Sequence, residues 1–181
     1  LHGGHFALLA ADCDHVTVDN VFIDTNRDGI DIDACANVRI SNCTVNSPWD
    51  DGICIKSSCG FGGVRPVENV TISDCYVSGF EEGTLFDGTR SRVIRHRGGP
   101  IGRIKLGTEA SGGFRYFAIT ICVFESCRGL AIEQVDVDIR KGGDRQLGRL
   151  VSALHVGDLL CRRAVRDVAG AELRPPEGGA L

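Results

Sequence analysis

The sequence predicts an all-β chain wound as a parallel β-helix, a single-stranded solenoid. Three observations point there. One alternating segment recurs four times, each copy is followed by a second short strand, and residue types repeat column by column between copies. The copies are "HVTVDNVFID" (15–24), "NVRISNCTVN" (37–46), "NVTISDCYVS" (69–78) and "YFAITICVFE" (116–125). Alternation of apolar and polar residues is the period of a strand. Recurrence of such a unit at roughly 20–50 residues marks a solenoid. An antiparallel sandwich also contains short strands, but it gives no reason for each column to keep its chemistry. A leucine-rich repeat would need Leu at fixed spacing, which is missing.

The columns justify the first strands in turn. Val16, Val38, Val70 and Phe117 form one apolar column, and Val18, Ile40, Ile72 and Ile119 the next. Asn20, Asn42 and Asp74 follow as a polar column broken by Ile121. Then come Val21, Cys43, Cys75 and Cys122, and finally Ile23, Val45, Val77 and Phe124. The apolar parity shifts across the Asn column, so the chain should bend there, with Asn side chains able to hydrogen-bond from coil to coil. The second strands are read as "DGIDID" (28–33), "DGICIK" (51–56), "EGTLFD" (82–87) and "RGLAIE" (128–133). Their inward residues would be Ile30, Ile53, Thr84 and Leu130, then Ile32, Ile55, Phe86 and Ile132. Asp33, Lys56, Asp87 and Glu133 would form an outward column of weak surface ion pairs. About four coils are recognisable over residues 1–139.

Composition bounds the rest. The 181 residues suit one domain, 43% hydrophobic and 24% charged. A net charge of −4 gives no sign of a nucleic-acid partner, and no apolar run is long enough to cross a membrane. The chain contains no Met and begins "LHGG", so a fragment or processed product is expected. The nine Cys show no CxxC pair and no zinc spacing, which makes them small buried apolar residues for the most part, with disulfide pairing left open.

The carboxylates carry the functional signal. Asp28 and Asp51 open equivalent strands on successive coils, which places them about 5 Å apart. Asp50 adjoins Asp51, and Pro48 with Gly52 favours a bend that turns both to one surface. Like charges this close push their pKa values apart, so that one group can keep a proton near neutrality. An acid and a base are what glycoside hydrolysis needs. A turn at each Asp-Gly corner would explain Asp28 and Asp51, but it leaves Asp50 unexplained. In "GRIKLG" (102–107), Ile104 and Leu106 face inward, which leaves Arg103 and Lys105 outward, two cations suited to an anionic sugar. "RSRVIRHRGG" (90–99) is a basic loop that could grip an acidic polymer. His2, His5 and His15 show no metal-ligand spacing, and Trp49 is expected to pack at the corner.

"NRDGIDID", "SPWDDGICIKS" and "GRIKLGTEASGGF" together resemble the signature blocks of glycoside hydrolase family 28, the polygalacturonase family. The resemblance spans roughly residues 3–136. It implies a right-handed helix, hydrolysis of pectic polysaccharide with inversion, and neither cofactor nor metal. It also implies a monomer acting on acidic plant cell-wall polysaccharide, extracellular or periplasmic. By resemblance Asp50 would be the general acid, Asp28 and Asp51 would hold the attacking water, and Arg103 and Lys105 would contact the sugar carboxylate. The family's Asn-Thr-Asp block reads Asn26-Arg27-Asp28 here. Its Gly-His-Gly block is replaced by Glu81-Glu82-Gly83, which puts Glu82 among the substrate-binding positions. A carboxylate there would repel an anionic sugar, so rhamnogalacturonan or xylogalacturonan linkages fit at least as well as polygalacturonate. The rivals are a Ca²⁺-dependent β-helix lyase and an inactive polysaccharide-binding β-helix.

From about residue 140 to 181 the repeat stops. The sequence turns rich in Arg, Gly, Ala and Leu, with a helix-like run at "LGRLVSALHVGDLLCRRAV" and a polar end at "RPPEGG". Three readings stay open: a helical cap, a divergent disordered extension, or a slipped reading frame in a piece of a larger enzyme.

Overall fold

Alternation does produce strands, and each strand stacks on its counterpart one coil later. A computed structural model describes residues 1–2, 4–59, 62–92 and 100–127, together with the strand backbones 132–134 and 151–162. Its strands are β1 (Leu8–Ala11), β2 (Asp14–Asp19), β3 (Phe22–Asp24), β4 (Ile30–Asp33), β5 (Ala36–Ser41), β6 (Thr44–Asn46) and β7 (Ile53–Ser57). They continue as β8 (Val67–Ser73), β9 (Tyr76–Ser78), β10 (Ile104–Ala110), β11 (Phe114–Glu125), β12 (Ile132–Gln134) and β13 (Val151–Arg162). One parallel sheet runs β1-β4-β7-β10-β12. A second stacks β2-β5-β8-β11 and β3-β6-β9-β11, with β13 also parallel to β11. The chain is therefore a right-handed parallel β-helix.

The expected columns are the observed register. Val16 pairs Val38, which pairs Val70, which pairs Phe117. Val18, Ile40, Ile72 and Ile119 follow in the same ladder. Ile23, Val45, Val77 and Phe124 form the column beyond the bend. These side chains fill one continuous core, and Ile23, Ile40, Val45, Ile72 and Ile119 are wholly inaccessible.

The bend has a clear cause. Asn20, Asn42, Asp74 and Ile121 all adopt positive φ, 53–55°. Asn and Asp tolerate this left-handed conformation better than other L-residues do. Asn42 Nδ2 donates to Asp19 Oδ1 of the previous coil at 2.9 Å. A second left-handed column, His15, Asn37, Asn69 and Tyr116, opens each first strand. There Asn69 Nδ2 donates to Asn37 Oδ1 at 2.6 Å.

The cysteines belong to the same corners. Cys13, Cys35, Cys43, Cys75, Cys122 and Cys127 each follow a residue of positive φ. Each thiol turns back to the carbonyl two residues earlier, at 3.1–3.4 Å. A small side chain with one weak donor fits a corner that a larger residue would open. Among the described residues eight cysteines are free thiols.

Three expectations need correction. "EGTLFD" is not a strand of the solenoid. Residues 81–87 form a turn held by Thr84 N–H to Glu81 O (3.0 Å) and Asp87 N–H to Gly83 O (3.2 Å), with Phe86 48% exposed. The third coil uses "GRIKLG" instead, so Ile104 stacks on Ile53 and Leu106 on Ile55. Second, "RGLAIE" sits two residues out of the expected register: Ile132 pairs Ile104. Third, Asp33 and Lys56 are register partners but do not pair as ions. Asp33 accepts from the Ser58 N–H and hydroxyl (2.8 and 2.6 Å), while Lys56 turns to Asp28 and Asp31. The sequence pattern also overlooked β1, whose Leu8 and Ala10 stack on Ile30 and Ile32.

Of the basic loop, residues 93–99 lie outside the described residues. So does most of 140–181, but β13 runs parallel to β11 from Phe114↔Val151 to Glu125↔Arg162. A strand stacks there without the Asn-Val-Thr-Ile pattern.

Candidate active site

The site grows from the corner that leads into the five-stranded sheet. Backbone bonds from coil to coil set its height: Gly29 N–H to Asp51 O (3.1 Å), Ile30 N–H to Gly52 O (2.9 Å) and Gly52 N–H to Arg103 O (2.8 Å). They bring Asp28, Asp51 and Arg103 to the entrances of three adjacent strands. The glycine after each aspartate is required by packing. A Cβ on Gly29 would collide with Val45 and the Gly52 backbone, and one on Gly52 would collide with Val77. Asp-Gly here marks a close approach of the two sheets, and the turn reading of this dipeptide is replaced.

Asp50 joins them because residues 47–50 bend, as Pro48 suggests. Trp49 N–H donates to Asn26 O (3.0 Å), Gly102 N–H donates to Asp50 O (3.1 Å), and Ser47 Oγ bridges Arg27 O (2.6 Å) and Asp50 O (3.0 Å). Oxygens of Asp28, Asp50 and Asp51 all lie within 4.8 Å of one another. The three sequence-predicted carboxylates thus converge, and all three line one open cleft.

Each carboxylate has a different environment. Asp51, 1% exposed, accepts from Arg103 Nε at 2.7 Å and meets Lys105 Nζ at 3.3 Å. Burial raises its pKa, against the pull of Lys105 and Arg103. Asp50 is the most exposed of the three, with Arg27 Nη2 3.0 Å and Nε 3.3 Å from its Oδ2. Its Oδ1 accepts the Asp51 N–H at 3.1 Å. Asp28, 5% exposed, meets Lys56 Nζ at 3.2 Å and accepts the Asp51 N–H at 3.3 Å. Burial, reinforced by the charges of Asp31 and Asp50, pushes the Asp28 carboxyl up to about 7 although Lys56 opposes it. This carboxyl therefore keeps its proton to a higher pH than an ordinary aspartate does.

The predicted cations divide. Lys105 lines the cleft; Arg103 stands behind Asp51 and does not. Glu82 is not brought here: it is exposed in the 81–87 turn and absent from the cleft wall. That turn is anchored elsewhere, its Gly83, Leu85 and Phe86 N–H groups donating to the buried Asp24 carboxylate at 3.0 Å each. Sequence reasoning missed Arg27, Asp31 and Lys56, as well as Phe6 and Glu109 in the cleft wall. Asp31 had a usable signal, an acid between two inward isoleucines in "GIDID".

The arrangement has two chemical consequences. First, each of the four aspartates (28, 31, 50 and 51) lies against at least one of Arg27, Lys56, Arg103 and Lys105, with Glu109 also in the cleft wall. The oxygens of Asp28, Asp50 and Asp51 are close enough to hold a divalent cation, which would compete with these side-chain cations for them. Second, the cleft holds both a carboxyl that retains a proton and an accessible carboxylate, the pair that acid–base chemistry requires.

The right handed beta helix region family matches residues 2–138. This fold is shared by polysaccharide-degrading enzymes. No curated protein and no solved structure matches the sequence significantly. With the stacked register and the match over residues 2–138 in agreement, the chain belongs to the right-handed β-helix family.

Proposed function

We propose that the protein hydrolyses glycosidic bonds in a pectic, galacturonic-acid-containing polysaccharide, with the aspartates of this cleft as acid and base. The convergence of Asp28, Asp50 and Asp51 in an open cleft carries the reading. Their environments allot the roles. Asp28 holds the proton and gives it to the glycosidic oxygen as the C–O bond breaks. Asp50, the exposed carboxylate, takes a proton from the water whose oxygen bonds to the anomeric carbon. Asp51, saturated by Arg103 and Lys105, anchors the cluster. Asp28 and Asp50 thereby exchange the roles that the family resemblance implies. Lys105, Lys56 and Arg27 line the cleft and supply positive charge for a uronate. A secreted location, a monomer and attack with inversion are part of the same proposal.

The test uses polygalacturonate, rhamnogalacturonan and xylogalacturonan. Hydrolysis yields new reducing ends without ultraviolet absorbance. Elimination would yield an absorbing double bond, and binding alone neither product. Asp50→Asn should lose turnover by at least about 10³-fold on every substrate. Asp28→Asn should lose as much on polymer but keep activity on a nitrophenyl galacturonide, whose leaving group needs no proton. The reverse pattern would restore the roles implied by resemblance. The three carboxylates are compact beside the ~6.5–9.5 Å separation common in inverting enzymes. The anomer first formed, read by NMR, therefore decides the stereochemistry.

A further inference from the structure

Behind Asp28 lies a buried group that the sequence motifs did not explain. Asp31 points away from the core yet is 1% exposed, and it does not line the cleft. Lys56 Nζ lies 3.1 Å from Asp31 Oδ1, 3.3 Å from Asp31 Oδ2 and 3.2 Å from Asp28 Oδ2, so one ammonium bridges both carboxyls. The Phe6 ring centroid lies 5.2 Å from that ammonium. Carboxylate oxygens of Asp28 and Asp31 also lie within 4.8 Å of each other. Two buried carboxyls this close repel as anions, which favours a proton on one of them. Two largely buried acids with one cation between them are more stable holding a proton than as two bare anions.

We propose that Asp31 and Lys56 are positioning residues that keep one proton on the Asp28–Asp31 pair and hold the Asp28 carboxyl toward the cleft. The assignment rests on the hydrolase reading for its purpose, but not for its test. Asp31 reaches no substrate and acts through Asp28. Lys56 fixes the total charge of the pair: two carboxyls sharing one proton carry one negative charge, which one ammonium cancels. Other groups facing Asp28 are accounted for. Asp50 and Asp51 approach from the bend before β7, each with its own cations, Arg27 for Asp50 and Arg103 with Lys105 for Asp51. Cys54 faces it from β7 and donates its thiol to Gly107 O. His5 lines the cleft from the first coil, and Glu109 lines it from β10.

The measurement is a ¹³C NMR titration of the Asp28 carboxyl in the full chain, with Asp28→Asn identifying its resonance. Asp31→Asn removes a negative neighbour and should lower the midpoint by about one pH unit or more. Lys56→Met removes the cation and should raise it by a similar amount, while Lys56→Arg should restore it. Opposite shifts are a signature that loosened packing would not produce. Midpoints that stay put, or that move together, overturn the assignment. If Asp31→Asn fails to fold, the Lys56→Met and Lys56→Arg pair decides alone. The alkaline limb of the pH–rate profile should move with each midpoint. If midpoints move as stated but no polysaccharide is cleaved, the hydrolase reading falls and the proton-holding pair stands.

Discussion

The inward face of the five-stranded sheet repeats Ile30, Ile53 and Ile104 in one register column, whereas the outward face sets Asp31, Cys54 and Lys105 side by side in the next. Both columns are made by the same backbone. Inside a solenoid each residue meets its counterpart one coil above and below, so every coil must supply an apolar side chain of similar size. Outside, the only shared demand is strand geometry, and each coil can contribute a different group. Repetition therefore reports the core, and interrupted repetition reports the site. The outward column is nonetheless as dry as the inward one at Asp31 and Cys54, each 1% exposed. That dryness turns ordinary aspartates into perturbed ones.

The comparison can be broken by mutation. Ile55, wholly buried on the inward face, should cost about 2–5 kcal/mol on truncation to Ala. Cys54→Ala, equally buried but outward, removes one thiol and should cost far less, about 1 kcal/mol. Equal losses in denaturant titrations would mean that the outward layer is a second core.

A smaller effect concerns pH. Asp28 has a folded-state pKa of about 7, above its ordinary carboxylate value. The folded state then binds the proton more tightly than the unfolded state, so stability falls as pH rises from about 4 to 7. Asp31 and Asp51, also raised, act in the same direction. Asp28→Asn should flatten this slope and raise stability at pH 8 by up to a few kcal/mol. Unchanged melting curves at pH 5 and 8 would show that the outward acids are not strained by burial.

The smallest effect tests the corners. Ile121 takes the left-handed conformation that Asn and Asp take in the other coils, at φ 53° and 56% exposed. Its branched Cβ is costly there. Ile121→Asn should stabilise the chain by about 1 kcal/mol, seen as a higher denaturation midpoint. A loss instead would mean that the Ile121 side chain has a packing role on the surface.

Legibility followed the same division. The columns from Val16 to Phe124 could be read because each is bounded by identical neighbours. The third coil's second strand could not, because "EGTLFD" imitates the Asp-Gly-Ile pattern, whereas the true strand starts at Ile104, beyond a long insertion. That error also explains Glu82, which was placed at the site by alignment to a motif that the turn does not occupy. β13 pairs with β11 in a stretch that lacks the Asn-Val-Thr-Ile unit, so no repeated column marked it in the sequence.

By itself the sequence determined the solenoid, its corners and the convergence of Asp28, Asp50 and Asp51. Those follow from local rules: period-two alternation, left-handed Asn and Asp, and a strand spacing that fixes where successive coils meet. Only the tertiary structure decided which carboxyls burial pushes upward, which is left accessible, and which cation serves each. A pKa depends on burial and on charges brought from residues as distant as Asp51 and Arg103. No spacing in the chain records those distances, because they exist only once the coils have stacked.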